Sequence, residues 1–290
     1  MLTAIELKAL LREQGLRLSK RLGQHHLVDA QVMWRFIERG QFAPSETVVE
    51  IGAGLGALTE ALAQRVGRLI ALEVDQRFCA LLAARMAAAP HVEVRCQDAL
   101  AFPWASLEGA TVIGAIPYHI TSPIIVCLCE ARGAIHRAMM IVQLEVAQRL
   151  LASPGTKPYG RLSVLGQYGW QITRLFDVAR GAFFPQPAVD SCCIQLSARE
   201  QPLVTVENEA FFFEVVKAAF SQRRKTLVNC LLHEQIIAVP RPYLESMLQP
   251  LGLPPNIRGE QLSLEQFAAL AEALWRATGR KKMSIPRLKK

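Results

Sequence analysis

The stretch VVEIGAGLGALTE, residues 48–60, decides how the rest of the chain is read. An apolar, β-branched run ends at Ile51, and Gly52, Ala53, Gly54, Leu55 and Gly56 follow. LTEALAQRV then reads as a helix. Strand, glycine turn and helix in that order suit a nucleotide. Glycines let the backbone approach a ligand closely, and the helix that follows turns its free amides toward it. By itself the motif suits NAD, FAD or S-adenosylmethionine, and also a tight turn that holds nothing.

From Thr47 onward, strand-like and helix-like segments alternate. RLIALEVD, VEVRCQD and TVIGAIP read as further strands, and QRFCALLAARMAAA as a helix. IIVCLCEA follows Ser122-Pro123 and reads as a helix, AMMIVQLEVAQRLL as a strand running into a helix, and SVLGQYGWQITRLFDV as a strand. This alternation predicts an α/β fold with a parallel sheet and helices on both faces. After SCCIQLSAREQPLV the pattern changes, and NEAFFFEVVKAAFSQRRKTLVNCLLH, RPYLESMLQPLG and SLEQFAALAEALWRA read as amphipathic helices. The predicted domains are 1–199 and 200–278, with a loose basic tail at 279–290.

The chain has 290 residues, 51% of them hydrophobic, enough for a sizeable core. Its net charge of +8 suits a polyanionic partner, because neutralised phosphates release counterions. A basic protein without such a partner has the same composition. No apolar run reaches the ~18 residues that a membrane span needs, and MLTAIELKALLREQG reads as an amphipathic helix, not a signal peptide. The seven cysteines are odd in number and lack C-x-x-C spacing, so reduced thiols in a cytoplasmic protein are expected. His25 and His26 have no ligand cluster near them in sequence, and no metal site is expected.

Three acids narrow the cofactor. Glu73 closes the second strand, where a carboxylate can accept both ribose hydroxyls. Asp98 closes the third, where one can hold an adenine amino group. Glu50 stands just before the glycines, which is unusual for a dinucleotide site. E-x-G-x-G-x-G followed by Glu and then Asp resembles the S-adenosylmethionine site of Rossmann-like methyltransferases. Glu50 and the Pro-Tyr of AIPYHI argue against a dehydrogenase.

Six blocks carry a closer resemblance: KRLGQHHLVD (20–29), EIGAGLGALTE (50–60), AIPYHITSPII (115–125), FFPQPAVDS (183–191), AFSQRRKTLVNCL (219–231) and RGEQLSLEQFAALA (258–271). In order and spacing they resemble the rRNA adenine-N6,N6-dimethyltransferases, over about residues 18–271. The last two blocks are similar to the small-subunit rRNA branch. The resemblance implies a class I methyltransferase domain with a mainly parallel seven-stranded sheet, and a small all-α RNA-binding domain after it. It also implies S-adenosylmethionine as cofactor, a monomer, and the assembling small ribosomal subunit and its rRNA as partners. By the same resemblance Gln24, His25 and Leu27 would contact the methionine end of the cofactor, and Gly52, Gly54 and Gly56 its middle. Glu73 with Val74 would hold the ribose, and Asp98 with Ala99 the adenine. Tyr118 and Phe183 would sandwich the target base, beside Ala115, Ile116 and Pro117. A basic helix carrying Arg223, Arg224 and Lys225 would contact rRNA.

The exocyclic amine of adenine is a poor nucleophile, because its lone pair is delocalised into the ring. Two hydrogen-bond acceptors and a stacked base would help it, by positioning. The target must also be unstacked from its RNA. The family's loop reads Asn-Leu/Ile-Pro-Tyr, and the Asn oxygen is one acceptor. Here Ile116 still offers its carbonyl, but Ala115 has no polar side chain. The loss of one such bond costs about 2.7–4 kcal/mol. His25 and His26 replace the usual Asn and Phe, and Leu144 the usual Lys. His119 is a candidate to supply the missing acceptor. Two readings follow: an active adenine dimethyltransferase, or an impaired member that acts as a binding factor in ribosome assembly.

Overall fold

In the computed structural model, the described residues are 2–19, 21–236 and 239–277. The expected basic tail, 279–290, lies outside them. The chain forms two compact units, Met1–Ala147 with Trp170–Ala198, and Gln148–Gly169 with Arg199–Lys290.

The first unit holds helices α1 (Ala4–Glu13), α2 (Ala30–Gly40), α3 (Ala57–Leu62), α4 (Gln76–Arg85) and α5 (Thr121–Glu130). Its strands are β1 (His26–Leu27), β2 (Thr47–Ile51), β3 (Arg68–Glu73), β4 (Val92–Cys96), β5 (Ala110–Ala115), β6 (Ile135–Gln143), β7 (Trp170–Val178), β8 (Phe183–Phe184) and β9 (Ser191–Ala198). Seven of them form one sheet in the order β4-β3-β2-β5-β6-β9-β7. The pairings from β4 to β6 are parallel, and β9 runs antiparallel to both β6 and β7. The expected mainly parallel seven-stranded sheet is therefore present. β2 and β3 are buried almost throughout, as strands covered on both faces must be, so they read as continuous apolar runs.

Chain order moves outward from β2 to β3 and β4, then returns to β5 on the other side of β2. This reversal is a topological switch point, where the carboxyl ends of the strands leave a crevice. Gly114 lets β5 come close there: a Cβ on it would lie 2.5 Å from the Ile51 carbonyl oxygen. β1 and β8 form a separate two-stranded ladder, with His26 opposite Phe184 and Leu27 opposite Phe183. Asp29 caps α2 through the amides of Gln31 and Val32, and the helix buries Met33, Phe36 and Ile37.

The second unit contains α7 (Arg161–Gly169), α8 (Glu209–Ala219), α9 (Leu227–His233), α10 (Arg241–Leu248) and α11 (Leu264–Ala277). α6 (Leu144–Leu150) runs across the boundary between the units. Phe212, Leu227, Phe267 and Leu274 are among the fully buried residues of its core. Gly259 permits close approach to α8, since a Cβ would stand 2.5 Å from the Ala219 carbonyl oxygen.

Two local expectations are corrected. SVLGQYGWQITRLFDV is helical up to Gly169, and its strand starts only at Trp170. The helical part is buried nearly all round, so it shows no periodicity that separates helix from strand. The second correction concerns the basic helix: Arg223, Arg224 and Lys225 lie in the turn between α8 and α9. Thr226 caps α9 by accepting from the Asn229 amide, so a new helix starts there instead of continuing α8. Among the described residues no helix is long and apolar enough to cross a membrane.

Candidate active site

The carboxyl ends of β2, β3, β4 and β5 open into one cleft. Gly52 and Gly54 line it at φ of +69° and +57°, a region that favours glycine. Gly56 lines neither this cleft nor the hollow beside it. A Cβ there would meet Leu82 Cδ1 at 2.6 Å, so this glycine serves the packing of α3 against α4. α3 itself is only six residues long.

Glu73 ends β3 almost fully buried, with its carboxylate pinned by backbone. Its Oε2 accepts from the Gly54 amide at 2.8 Å, and its Oε1 from the Val74 and Asp75 amides at 2.9 Å each. Burial raises its pKa, and the three amides oppose the rise. A carboxylate offers about four lone-pair sites, so acceptor capacity remains for a ligand hydroxyl. Val74, Asp98 and Ala99 line the same cleft. Asp98 Oδ1 accepts from the Leu100 amide, which fixes the side chain at the end of β4. The donor set therefore suits a nucleoside: glycine backbone at its middle, one acid for a diol and a second for an exocyclic amine.

At the β5 end, Ala115, Ile116 and Pro117 lead into a 3-10 turn at Tyr118–Ile120. These residues, Tyr118 and Phe183 all line the cleft. The Tyr118 hydroxyl hydrogen-bonds the Ser191 hydroxyl at 2.8 Å, which sets the ring. Burial raises the phenol pKa.

The β1–β8 ladder brings the 24–27 block beside Phe183. Gln24 lines the cleft, but its amide is engaged: Nε2 donates to Asp75 Oδ2 at 2.9 Å, and Oε1 accepts from the Ser19 amide at 2.6 Å. Leu27 is buried and faces an adjoining hollow, not the cleft. His25 and His26 line both spaces, as do Gly52 and Ala115. His26 presses on Gly54, where a Cβ would come within 2.9 Å of its ring, and meets Phe78 edge-on at 5.3 Å. Burial holds its pKa down at about 4. Among the described residues its Nε2 is buried without a hydrogen-bond partner. By sequence, His26 is a departure beside the cofactor with no contact assigned to it. The signal for one was its position directly after His25 in the same block.

Glu50 is fully buried behind the glycines. It accepts from the Thr59 hydroxyl at 2.6 Å, and burial raises its pKa to about 8. It lines the adjoining hollow and not the cleft.

In the second unit, Arg223 and Arg224 line an open hollow with Lys157 and Arg258. Arg223 donates to the Lys157 carbonyl at 2.5 Å and stands 3.6 Å from the Glu260 carboxylate. Lys225 is exposed in the same turn but does not line the hollow.

Comparison with known proteins identifies the family. A sequence model of the family described as "Ribosomal RNA adenine dimethylase" matches residues 15–272. A Moorella thermoacetica protein named ribosomal RNA small subunit methyltransferase A is 40% identical over 278 residues, covering 92% of this chain and 96% of its own. The crystal structure of a dimethyladenosine transferase from Plasmodium falciparum has a TM-score of 0.72 at 26% identity, over 85% of this chain and 96% of that one. That of the 23S rRNA methyltransferase ErmE has a TM-score of 0.63 at 30% identity, over 86% and 98%. Matched over most of its length by the family's own model, the chain belongs to the ribosomal RNA adenine dimethylase family.

Proposed function

We propose that this protein transfers methyl groups from S-adenosylmethionine to N6 of adenines in small-subunit rRNA, adding two to each, during assembly of the small ribosomal subunit. The observation that carries the reading is one cleft that unites a nucleoside-shaped donor set with an aromatic platform. Gly52, Gly54, Glu73 and Asp98 form the first, and Tyr118 and Phe183 the second. The relatives' names favour an enzyme over a factor that only binds.

S-adenosylmethionine, when bound, supplies an electrophilic methyl group that the adenine amine takes with loss of a proton. Glu73, next to Val74, holds the ribose diol, and Asp98 with Ala99 holds the adenine ring of the cofactor. Gln24 borders its methionine end, and Leu27 backs that wall from the adjoining hollow. Tyr118 and Phe183 hold the flipped target base by stacking, and the Ile116 carbonyl accepts from its amine. Catalysis is then mainly positioning: the nitrogen is fixed in line with the methyl, and its lone pair is drawn out of ring conjugation. No side chain of the cleft needs to act as a strong base.

The first unit carries the chemistry in this reading, and the second carries RNA binding through Arg223, Arg224 and Lys225. The protein acts as a cytoplasmic monomer. The test is transfer of labelled methyl from S-adenosylmethionine to small subunits whose rRNA lacks the modification. Label in N6,N6-dimethyladenosine after digestion is the expected result. A folded, cofactor-binding protein that leaves the rRNA unlabelled overturns the reading.

A further inference from the structure

The amine of a bound adenine has two N–H bonds, and each must meet an acceptor if the lone pair is to leave the ring's conjugation. Ile116 has a carbonyl to offer at the end of β5, and Ala115 has no polar side chain. The cleft must supply the second acceptor from elsewhere. Most of its polar groups are committed. The Gln24 amide is held at both ends, by Asp75 and Ser19. His26 is wedged between Gly54 and Phe78. Glu73 and Asp98 stand at the ends of β3 and β4, away from Tyr118 in strand order.

His25 is different. Its Nδ1 lies 2.6 Å from the Pro185 carbonyl oxygen. A carbonyl only accepts, so Nδ1 carries the proton, and in the neutral ring Nε2 is left as an acceptor. The β1–β8 ladder pairs His26 with Phe184, and the same register continued by one residue sets His25 against Pro185. The tautomer is thus fixed by backbone and not by a mobile side chain. Among the described residues Nε2 has no hydrogen-bond partner.

The ring's orientation supplies the rest. His25 and Tyr118 are inclined by only 26°, with centroids 5.6 Å apart. Nearly parallel rings at that distance are offset, so the imidazole covers the margin of the tyrosine face and not its centre. A base stacked on the remainder of that face lies close to the imidazole plane, and the two meet edge to edge. The Nε2 lone pair lies in the ring plane, where a base held in that plane presents its edge.

We propose that His25 Nε2 accepts a hydrogen bond from the exocyclic amine of the target adenine and so replaces the side chain that Ala115 lacks. The proposal rests on the adenine-N6 reading of the cleft. His119, the other candidate, is exposed with its ring against Gly23, and no hydrogen bond among the described residues fixes its tautomer.

The experiment measures kcat for methyl transfer to small subunits with unmodified rRNA, and the dissociation constant of S-adenosylmethionine by calorimetry. His25→Phe keeps a flat ring on Tyr118 and removes both nitrogens. Its kcat is expected to fall ~100-fold, while the affinity for S-adenosylmethionine stays within about threefold. Ala115→Asn added to His25→Phe returns an acceptor from the strand end, and at least ~10-fold of the lost rate should come back. A purely structural role for His25 would not be repaired from position 115. An active wild type with an equally active His25→Phe overturns the proposal, and so does a loss found in His119→Phe instead. A His25→Phe loss that lies wholly in cofactor affinity overturns it too. A wild type that labels no adenine brings down the adenine reading itself, and this inference with it.

Discussion

Glu50 and His26 are both driven by burial toward their neutral forms, and they tilt stability in opposite directions with pH. Glu50 keeps its proton in the folded state up to about pH 8, whereas its ordinary value is 4.5. Its contribution is full below pH 4.5 and is lost as pH rises through 8. His26 is held down at about 4 against an ordinary 6.5. Its contribution is full above pH 6.5 and is lost as pH falls through 4. Glu50→Gln keeps an acceptor for the Thr59 hydroxyl but cannot ionise. Denaturant titrations should find this variant gaining on wild type as pH rises, by roughly 4 kcal/mol at pH 8 against under about 1 kcal/mol at pH 5. At Asp98 the effect belongs to binding. Asp98→Ala should weaken S-adenosylmethionine by ~10-fold in calorimetry, through loss of a charge-assisted bond, with little change in melting temperature.

One ion pair ties together four pieces of the first unit. Arg137 on β6 donates to the Gly40 carbonyl at the end of α2 and to both oxygens of Glu46, at 2.6, 3.2 and 3.0 Å. Thr111 on β5 donates to Glu46 as well, at 2.8 Å. The side chains of Arg137 and Glu46 are only 13% and 22% exposed, so removal of one partner leaves a charge poorly solvated. Arg137→Met should cost roughly 2–3 kcal/mol by chemical denaturation, and Glu46→Gln added to it should recover part of that. Such a tie between positions 46 and 137 was invisible in the sequence, where both residues read as ordinary charges near turns. The helices of the second unit were half legible. The apolar spacing within α8 and within α9 is helical, but in sequence the seven residues that split them are marked only by Thr226, and a capping residue looks the same in the middle of a helix.

At the scale of the whole molecule, the second unit gathers Lys157, Arg223, Arg224 and Arg258 around one open hollow, with Glu260 the acid among them. Arg224→Ala should weaken binding to small subunits in a sequence-independent way and lower the slope of log affinity against log salt by about 1. The same titration on wild type sets the reference. Order along the chain was legible here because strands, glycine turns and helices are local patterns: residues 48–60 announce β2, the turn and α3, and Glu73 and Asp98 fall at the ends of β3 and β4 as expected. The sequence by itself determined the doubly wound sheet and the acids at the ends of its strands, and the aromatic pair came from the family resemblance. It could not distinguish α7 from a strand, because burial on every side erases periodicity. It could not show that Gly56 serves packing or that Gln24 spends its amide on Asp75 and Ser19. Nor could it show that His25 meets the Pro185 carbonyl and the Tyr118 ring. Those are contacts between residues far apart in the chain, and only the closing of the fold decides which atoms face each other.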